Sequence, residues 1–283
     1  KKDSKFSEIS SVINKNLDEN FLNKMRQKIL ELKKPESHYL HNKASYKINM
    51  FPFLENEIQD KIIEFALNEE NIAFVSKYLK VAPIISSIYI NLNVPVKDTV
   101  ERGPMLWHKD DFGFKSLDIF LPLKKMSENS GPLYFHKIKN NLGVFHKYLG
   151  SVKSPKKGER NKIDLNSFEN VNGNNISKFI GDVGDAIFID SFSCYHRGGF
   201  CKSEERLMMR ITYQTPDSIS LSNNDPLRGL NQEIIQKYKN KNSKLINYSL
   251  FKRNIFFNKI SLQKILLKFY KLVHYKDTSL IKN

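Results

Sequence analysis

The sequence predicts a mainly β core with flanking α-helices, its strands forming a double-stranded β-helix, the jelly-roll or cupin-like fold. Two observations predict this fold class. Between residues 84 and 216, short runs rich in β-branched and aromatic residues are bounded by Gly, Pro, Asn or Asp. On either side, apolar residues recur at spacings of three and four, which is the period of a helix that packs through one face.

The N-terminal part, residues 1–83, is predicted to be helical. Apolar residues follow the helical period over residues 5–34 and again over 55–79, where Ile58, Ile62 and Phe65 share one face. We expect these amphipathic helices to pack on the outside of the β core.

The core, residues 84–216, contains five predicted strands, over residues 84–94, 117–123, 131–138, 185–191 and 206–214. Residues 139–180 interrupt them with polar, turn-rich sequence such as SPKKGERNK and VNGNN. We therefore expect an insertion over one end of the sheets, within a single domain that spans residues 1–283.

The C-terminal extension, residues 217–283, is predicted to be helical and basic. The chain has a net charge of +16, and the segment from Ile234 to Lys276 contains no acidic residue. Apolar residues at helical spacing over 255–276 favour a terminal helix docked on the core, and the alternative is contact with an anionic membrane surface. No nucleic-acid-binding module or aromatic platform accompanies the lysines, so we expect no nucleic-acid partner.

The composition, with 40% hydrophobic and 27% charged residues, is that of a folded globular protein. Two cysteines are too few for a disulfide framework, which favours a reducing compartment. No apolar run is long enough to span a membrane, and the first residues lack a signal-peptide pattern. We expect a cytoplasmic protein.

The stretch WHKDD, residues 107–111, contains a candidate metal site. On extended backbone, residues two apart point the same way, so Asp110 shares a face with His108 and the competing Asp111 does not. A His-x-Asp pair alone is usually a solvated turn, but His196 follows a second apolar strand and offers a third ligand. Two imidazoles and one carboxylate on one face of an octahedral ion leave three positions open, as in non-haem Fe(II) oxygenases.

Two arginines follow the third candidate ligand. Arg206 and Arg210 would face the same side of a strand. One guanidinium could anchor the distal carboxylate of a 2-oxo acid cosubstrate, and the other could meet an anionic substrate. The alternative is that either arginine pairs with Glu204 or Glu205 at the surface.

Three stretches of the chain together resemble the phytanoyl-CoA dioxygenase family of Fe(II)/2-oxoglutarate-dependent oxygenases, over roughly residues 84–216. They are LWHKDDFGFKSLDIFLPLKKMSENSGPLYF, GDAIFIDSFSCYHRGG and SEERLMMR. The resemblance implies a hydroxylase that uses Fe(II), 2-oxoglutarate and O₂ and releases succinate and CO₂. It assigns His108, Asp110 and His196 as iron ligands, Arg206 as the 2-oxoglutarate anchor and Phe120 as a residue lining the cosubstrate pocket.

The chain departs from the family pattern in places. Gly198 stands where some members carry a hydroxyl residue, and HKIKN replaces the usual Pro-Gly-Ser-His. Related halogenases leave the carboxylate position as Gly or Ala, whereas Asp110 fills it here, so the resemblance favours hydroxylation or desaturation over halogenation.

A second hypothesis is a non-catalytic jelly-roll protein that binds a membrane or a partner through its basic tail. Such a binding module has no need for His108, Asp110, His196 and Arg206 together. The substrate itself cannot be identified from the sequence, but the basic run 153–162 hints at an anionic small molecule.

Overall fold

The structure is a computed structural model of the 283-residue chain. The residues that it describes are 18–32, 46–95, 103–108, 110, 116–136, 176–191, 194–216, 230–241 and 243–251.

Among the described residues, eight strands form two sheets. The strands are β1 (Lys47–Asn49), β2 (Ile84–Asn93), β3 (Ser116–Pro122), β4 (Leu133–His136), β5 (Ile176–Phe179), β6 (Ile187–Ile189), β7 (His196–Gly198) and β8 (Arg206–Gln214). The larger sheet has the order β1-β2-β8-β3-β6, and the smaller sheet has the order β5-β4-β7. All the strand pairs within these two sheets are antiparallel.

The larger sheet separates two hydrophobic clusters, because successive side chains of a strand point to opposite faces. On β8, Leu207, Met209 and Ile211 pack into the larger cluster, together with the helices. Met208 points the other way, into a smaller cluster that also contains Leu133 of the smaller sheet. The interior between the two sheets is therefore lined by this second face of β8.

In the part of the chain that the structure describes, five α-helices flank the sheets: α1 (Glu19–Glu31), α2 (Asn56–Ala66), α3 (Glu69–Leu79), α4 (Gln232–Asn240) and the single turn α5 (Lys244–Ile246). The last continues into a π-turn at Asn247–Phe251. Asn68 separates α2 from α3, and its side chain caps α3 by accepting a hydrogen bond from the Asn71 backbone N–H at 2.7 Å. Apolar residues of α1 to α4 pack into the larger cluster. Within the described ranges, no helix is long and apolar enough to cross a membrane.

The predicted β core with flanking helices is confirmed, and its strands pair antiparallel; the double-stranded β-helix stays a prediction. Strand β8 has the bounds expected from the sequence, and β2, β3, β4 and β6 lie within the predicted segments or one residue outside them. The single-domain organisation over 1–283 stays a prediction.

Three of the described strands, β1, β5 and β7, were not predicted, and β1 and β5 correct the expected boundaries. Residues 1–83 are not entirely helical, since β1 pairs with β2. The predicted insertion over 139–180 ends too late, since Ile176–Phe179 forms β5 and pairs with β4. Both strands have only three or four residues, too few to show an alternating pattern. The rest of the insertion that precedes β5, with the basic run 153–162, and the tail segment 255–276 lie outside the described residues.

Candidate metal centre

The backbone brings His108 and His196 side by side. The two residues form an isolated antiparallel bridge, in which each backbone N–H donates to the other residue's carbonyl, at 3.1 Å from His108 and 2.9 Å from His196. Their imidazole rings lie on the same side, with centroids 4.4 Å apart. Two residues 88 positions apart in the chain are therefore fixed as direct neighbours.

The carboxylate of Asp110 completes the group. The Asp110 backbone N–H donates to the Ser191 carbonyl at 2.9 Å, which ties Asp110 to the residues that follow β6. Asp110 Oδ1 lies 3.7 Å from His108 Nε2, and Asp110 Oδ2 lies 3.6 Å from His196 Nε2. All three residues are buried, and their candidate ligand atoms lie within 4.8 Å of one another.

Backbone carbonyls orient both imidazoles. Nδ1 of His108 lies 2.7 Å from the Leu106 carbonyl, and Nδ1 of His196 lies 3.1 Å from the Cys194 carbonyl. A carbonyl only accepts, so each Nδ1 carries the proton and each Nε2 presents its lone pair toward Asp110. Metal-binding histidines are held in this way, by a hydrogen bond from the nitrogen that does not bind the metal.

This donor set fits a divalent transition metal. Two imidazole nitrogens and one carboxylate are the ligands of the facial site of non-haem Fe(II) enzymes. Neighbouring ligands of an octahedral ion at about 2.1 Å stand about 3.0 Å apart. The observed separations of 3.6 and 3.7 Å are within reach of that value through small side-chain rotations.

The Asp110 carboxyl is ionised at neutral pH. Burial by itself raises the pKa of this group, but the charge of the Arg210 guanidinium and its hydrogen bond lower the pKa by more, so that the net pKa lies well below its usual range. The ligand oxygen is therefore available without loss of a proton.

Arg210 connects Asp110 to a second buried carboxylate, that of Asp118 on β3. The Arg210 guanidinium donates to Asp118 through Nε at 3.0 Å and Nη2 at 2.9 Å, and Nη2 also donates to Asp110. Thr212 donates its hydroxyl to the same Asp118. Burial lowers the pKa of Arg210, but the two carboxylates raise the pKa by more, so this side chain stays charged.

Arg206 lies in a different environment. Its Nη1 donates to the carbonyls of Gly131 and Gly199. Burial lowers its pKa, and among the described residues no carboxylate forms an ion pair with it. A Cβ on Gly198 would lie 2.8 Å from Arg206 Nη2, so the guanidinium occupies the space that the missing side chain leaves open.

Phe120 lies between Arg210 and the apolar interior. It pairs with Arg210 across β3 and β8, and the Arg210 guanidinium carbon lies 5.2 Å from the centre of its ring. Phe120 also belongs to the smaller hydrophobic cluster between the sheets. It therefore lines the interior next to the candidate metal ligands.

The structure brings together His108, Asp110, His196 and Arg210, four of the residues singled out in the sequence. Asp111 lies outside the described residues. Sequence reasoning missed Asp118 and Thr212. A usable signal was present for Asp118, since a carboxylate within the apolar run LDIFLPL needs a buried partner.

Known proteins resemble this chain in structure only. No protein-family model matches it, and no curated protein does. The epimerase SnoN in complex with Fe3+, alpha ketoglutarate and nogalamycin RO is 13% identical over 73% of this chain and 78% of that one, with a TM-score of 0.49. HygX from Streptomyces hygroscopicus, with nickel and 2-oxoglutarate bound, is 11% identical over 71% and 81%, with a TM-score of 0.45.

The non-heme monooxygenase ThoJ is 12% identical to this chain over 75% of it and 74% of ThoJ, with a TM-score of 0.46. Likeness at this level carries no functional conclusion, so the function proposed below rests on this chain's own residues. The resemblance to the phytanoyl-CoA dioxygenase family stays a prediction.

Proposed function

We propose that the protein is an Fe(II)/2-oxoglutarate-dependent dioxygenase of the phytanoyl-CoA dioxygenase type, which hydroxylates a small molecule with release of succinate and CO₂. The observation that supports this most strongly is the convergence of His108, Asp110 and His196, with both Nε2 atoms turned toward the carboxylate. A facial set of three protein ligands leaves three positions for a cosubstrate and O₂.

We also propose that the two sheets form a double-stranded β-helix. In the larger sheet, β8 lies between β2 and β3, and in the smaller sheet β4 lies beside β7. Antiparallel strands that alternate between two facing sheets in this order are typical of jelly rolls. Two of the three proposed metal ligands, His108 and His196, lie where the His108 bridge extends the smaller sheet beyond β7.

Arg206 is the proposed anchor for the distal carboxylate of 2-oxoglutarate. Its guanidinium occupies the position of a side chain on Gly198, which is two residues from His196 and therefore on the same face of β7. It lies about 7 Å along the strand from the His196 position, a separation that suits a five-carbon dicarboxylate. A half-buried guanidinium without a carboxylate partner among the described residues suits an incoming anion.

The protein's own contribution is to bind, orient and shield. His108, Asp110 and His196 would hold Fe(II), which supplies the oxidative chemistry when bound. Phe120 and the apolar residues around it keep water away from the ligands. Arg206 fixes the far end of the cosubstrate, which leaves its 2-oxo acid end directed at the metal position.

We further propose that the substrate is a small molecule and that an anionic group on it would contact Arg210 or the basic run 153–162. The protein is cytoplasmic and binds no nucleic acid, and segment 255–276 docks on the core in preference to a membrane.

The test is anaerobic addition of Fe(II) and 2-oxoglutarate. We expect a weak visible charge-transfer band from the wild type and none from His196→Ala. His136→Ala is the matched control, because His136 is a buried histidine on the neighbouring strand β4 and lies outside the metal group. Absence of the band from the wild type contradicts the proposal.

Measurement of turnover distinguishes the proposed enzyme from the second candidate function, a non-catalytic binding protein. Screening a metabolite panel in air for succinate formation should give a stimulated rate with at least one compound. A charge-transfer band without succinate from any compound would favour the binding protein.

A further inference from the structure

The inner face of the larger sheet contains a carboxylate that is not one of the candidate metal ligands. Asp118 is fully buried on β3, and both of its oxygens accept hydrogen bonds. Arg210 contacts Oδ1 through Nε and Oδ2 through Nη2, and Thr212 donates to Oδ1. A forked pair of this kind gives the guanidinium a single orientation. We call Asp118, Arg210 and Thr212 the carboxylate clamp.

The clamp reaches one specific oxygen of the metal ligand Asp110. Arg210 Nη2 donates to Asp110 Oδ2 and lies 3.5 Å from the Ser191 hydroxyl. Asp110 Oδ1 faces His108 Nε2 at 3.7 Å, whereas Oδ2, which accepts the Arg210 hydrogen bond, lies 3.6 Å from His196 Nε2. The two oxygens of this carboxylate are therefore inequivalent before any metal binds.

The charge of this cluster indicates more than a structural ion pair. Arg210 and Asp118 alone would be a neutral buried pair, already bonded through two parallel contacts. The addition of Asp110 leaves one excess negative charge in a buried site, because the two carboxylates share one guanidinium. A divalent cation at the histidines would compensate that charge.

The difference between the two oxygens decides how many positions on the metal stay open. A carboxylate can bind an ion through one oxygen or through both. With two imidazoles, a carboxylate bound through one oxygen leaves three of six octahedral positions, and one bound through both leaves two. A 2-oxo acid chelate and O₂ together require three.

We propose that the carboxylate clamp is a positioning device that restricts Asp110 to coordination through Oδ1, so that three positions on the metal remain open. This inference rests on the proposed function and adds to it a role for three residues to which that function assigns no contact with cosubstrate or O₂. Arg210 acts on Asp110 directly, while Asp118 and Thr212 act through Arg210.

The test compares metal binding with cosubstrate binding under anaerobic conditions, with Co(II) as a spectroscopic replacement for Fe(II). Asp118→Asn removes the charge that orients Arg210, and Thr212→Val removes one hydrogen bond while it keeps every charge. The matched control is Asp60→Asn, which breaks an ion pair with Lys237 between α2 and α4.

We expect Asp118→Asn to bind Co(II) about as tightly as the wild type, to change the visible spectrum of the bound Co(II), and to bind 2-oxoglutarate about tenfold or more weakly. Thr212→Val should shift both readouts in the same direction by less, and it keeps the test decisive if Asp118→Asn does not fold. Asp60→Asn should match the wild type in both.

Two results would overturn the clamp. In the first, the wild type binds both Co(II) and 2-oxoglutarate, and both variants have the same 2-oxoglutarate affinity and the same Co(II) spectrum as the wild type. The other is a loss of Co(II) affinity as large as the loss of 2-oxoglutarate affinity, since that would indicate general damage to the site. A wild type that binds neither Co(II) nor 2-oxoglutarate overturns the proposed function, and the clamp with it.

Discussion

Gly198→Ala should weaken 2-oxoglutarate binding while it leaves the fold nearly unchanged. The new Cβ would lie 2.8 Å from Arg206 Nη2, 3.4 Å from Nη1 and 3.5 Å from Cζ. An ordinary contact needs about 3.4 Å or more, so the guanidinium must move by roughly 0.6 Å. Since the only close atoms belong to the end of a flexible side chain, the movement costs little folding free energy.

The displaced guanidinium can no longer meet both oxygens of a carboxylate in the same plane. Loss of one charge-assisted hydrogen bond corresponds to about 1.5–3 kcal/mol of binding free energy. The dissociation constant of 2-oxoglutarate should therefore rise by about 10- to 150-fold. Calorimetric titration of the metal-loaded protein under anaerobic conditions measures this change, and a thermal melt measures the effect on stability.

Gly131→Ala is the contrasting control. Gly131 has a φ of 73°, and a Cβ there would lie 2.5 Å from the Gly199 backbone carbonyl, so the backbone itself must shift. We expect this variant to lose stability. Unchanged 2-oxoglutarate affinity in a well-folded Gly198→Ala protein would refute the assignment of Arg206 as the cosubstrate anchor.

Three further outcomes are expected. Arg206→Gln should weaken 2-oxoglutarate binding by about 100-fold or more but retain Fe(II) binding, as measured by titrating each in turn. Burial raises the pKa of Asp60, but its hydrogen bonds, of which the one from Lys237 is the strongest, lower the pKa by more. In denaturant titrations, Asp60→Asn should therefore reduce the unfolding free energy by up to about 1 kcal/mol at neutral pH. This difference should disappear as the pH falls below about 4, because the carboxyl of the wild type is then protonated. Tyr213 donates to the Ala66 carbonyl at 2.7 Å, so Tyr213→Phe should cost about 1 kcal/mol and lower Tm by about 2–4 °C. If Asp60→Asn or Tyr213→Phe were as stable as the wild type at neutral pH, the contribution assigned to that side chain would be contradicted.

The sequence predicted the long elements well because their patterns are local. Over nine residues, strand β8 alternates apolar residues on one face with residues that, Met208 apart, are polar on the other, and its predicted bounds match. Strands β1 and β7 have three residues each and no alternation to detect. They exist because longer neighbours, β2 and β4, offer them hydrogen-bonding edges. Tertiary pairing, which the sequence does not display, decides such elements.

The site divides in the same way. His108 and Asp110 are two apart, so their common face follows from strand geometry alone. Asp118 and Arg210 are 92 positions apart, and their contact depends on the register of β3 against β8. In that register Asp118 pairs with Thr212 and stands diagonal to Arg210. A one-residue slip would move the carboxylate to the other face of the sheet, so the clamp could not be predicted without the pairing.

The most direct test of the metal centre is anomalous diffraction from crystals soaked in Mn(II) without oxygen. One anomalous peak per chain should appear within about 2.0–2.3 Å of Nε2 of His108, Nε2 of His196 and one oxygen of Asp110. No peak between these three side chains, in crystals that show bound Mn(II) elsewhere on the same chain, would contradict the assignment of the site.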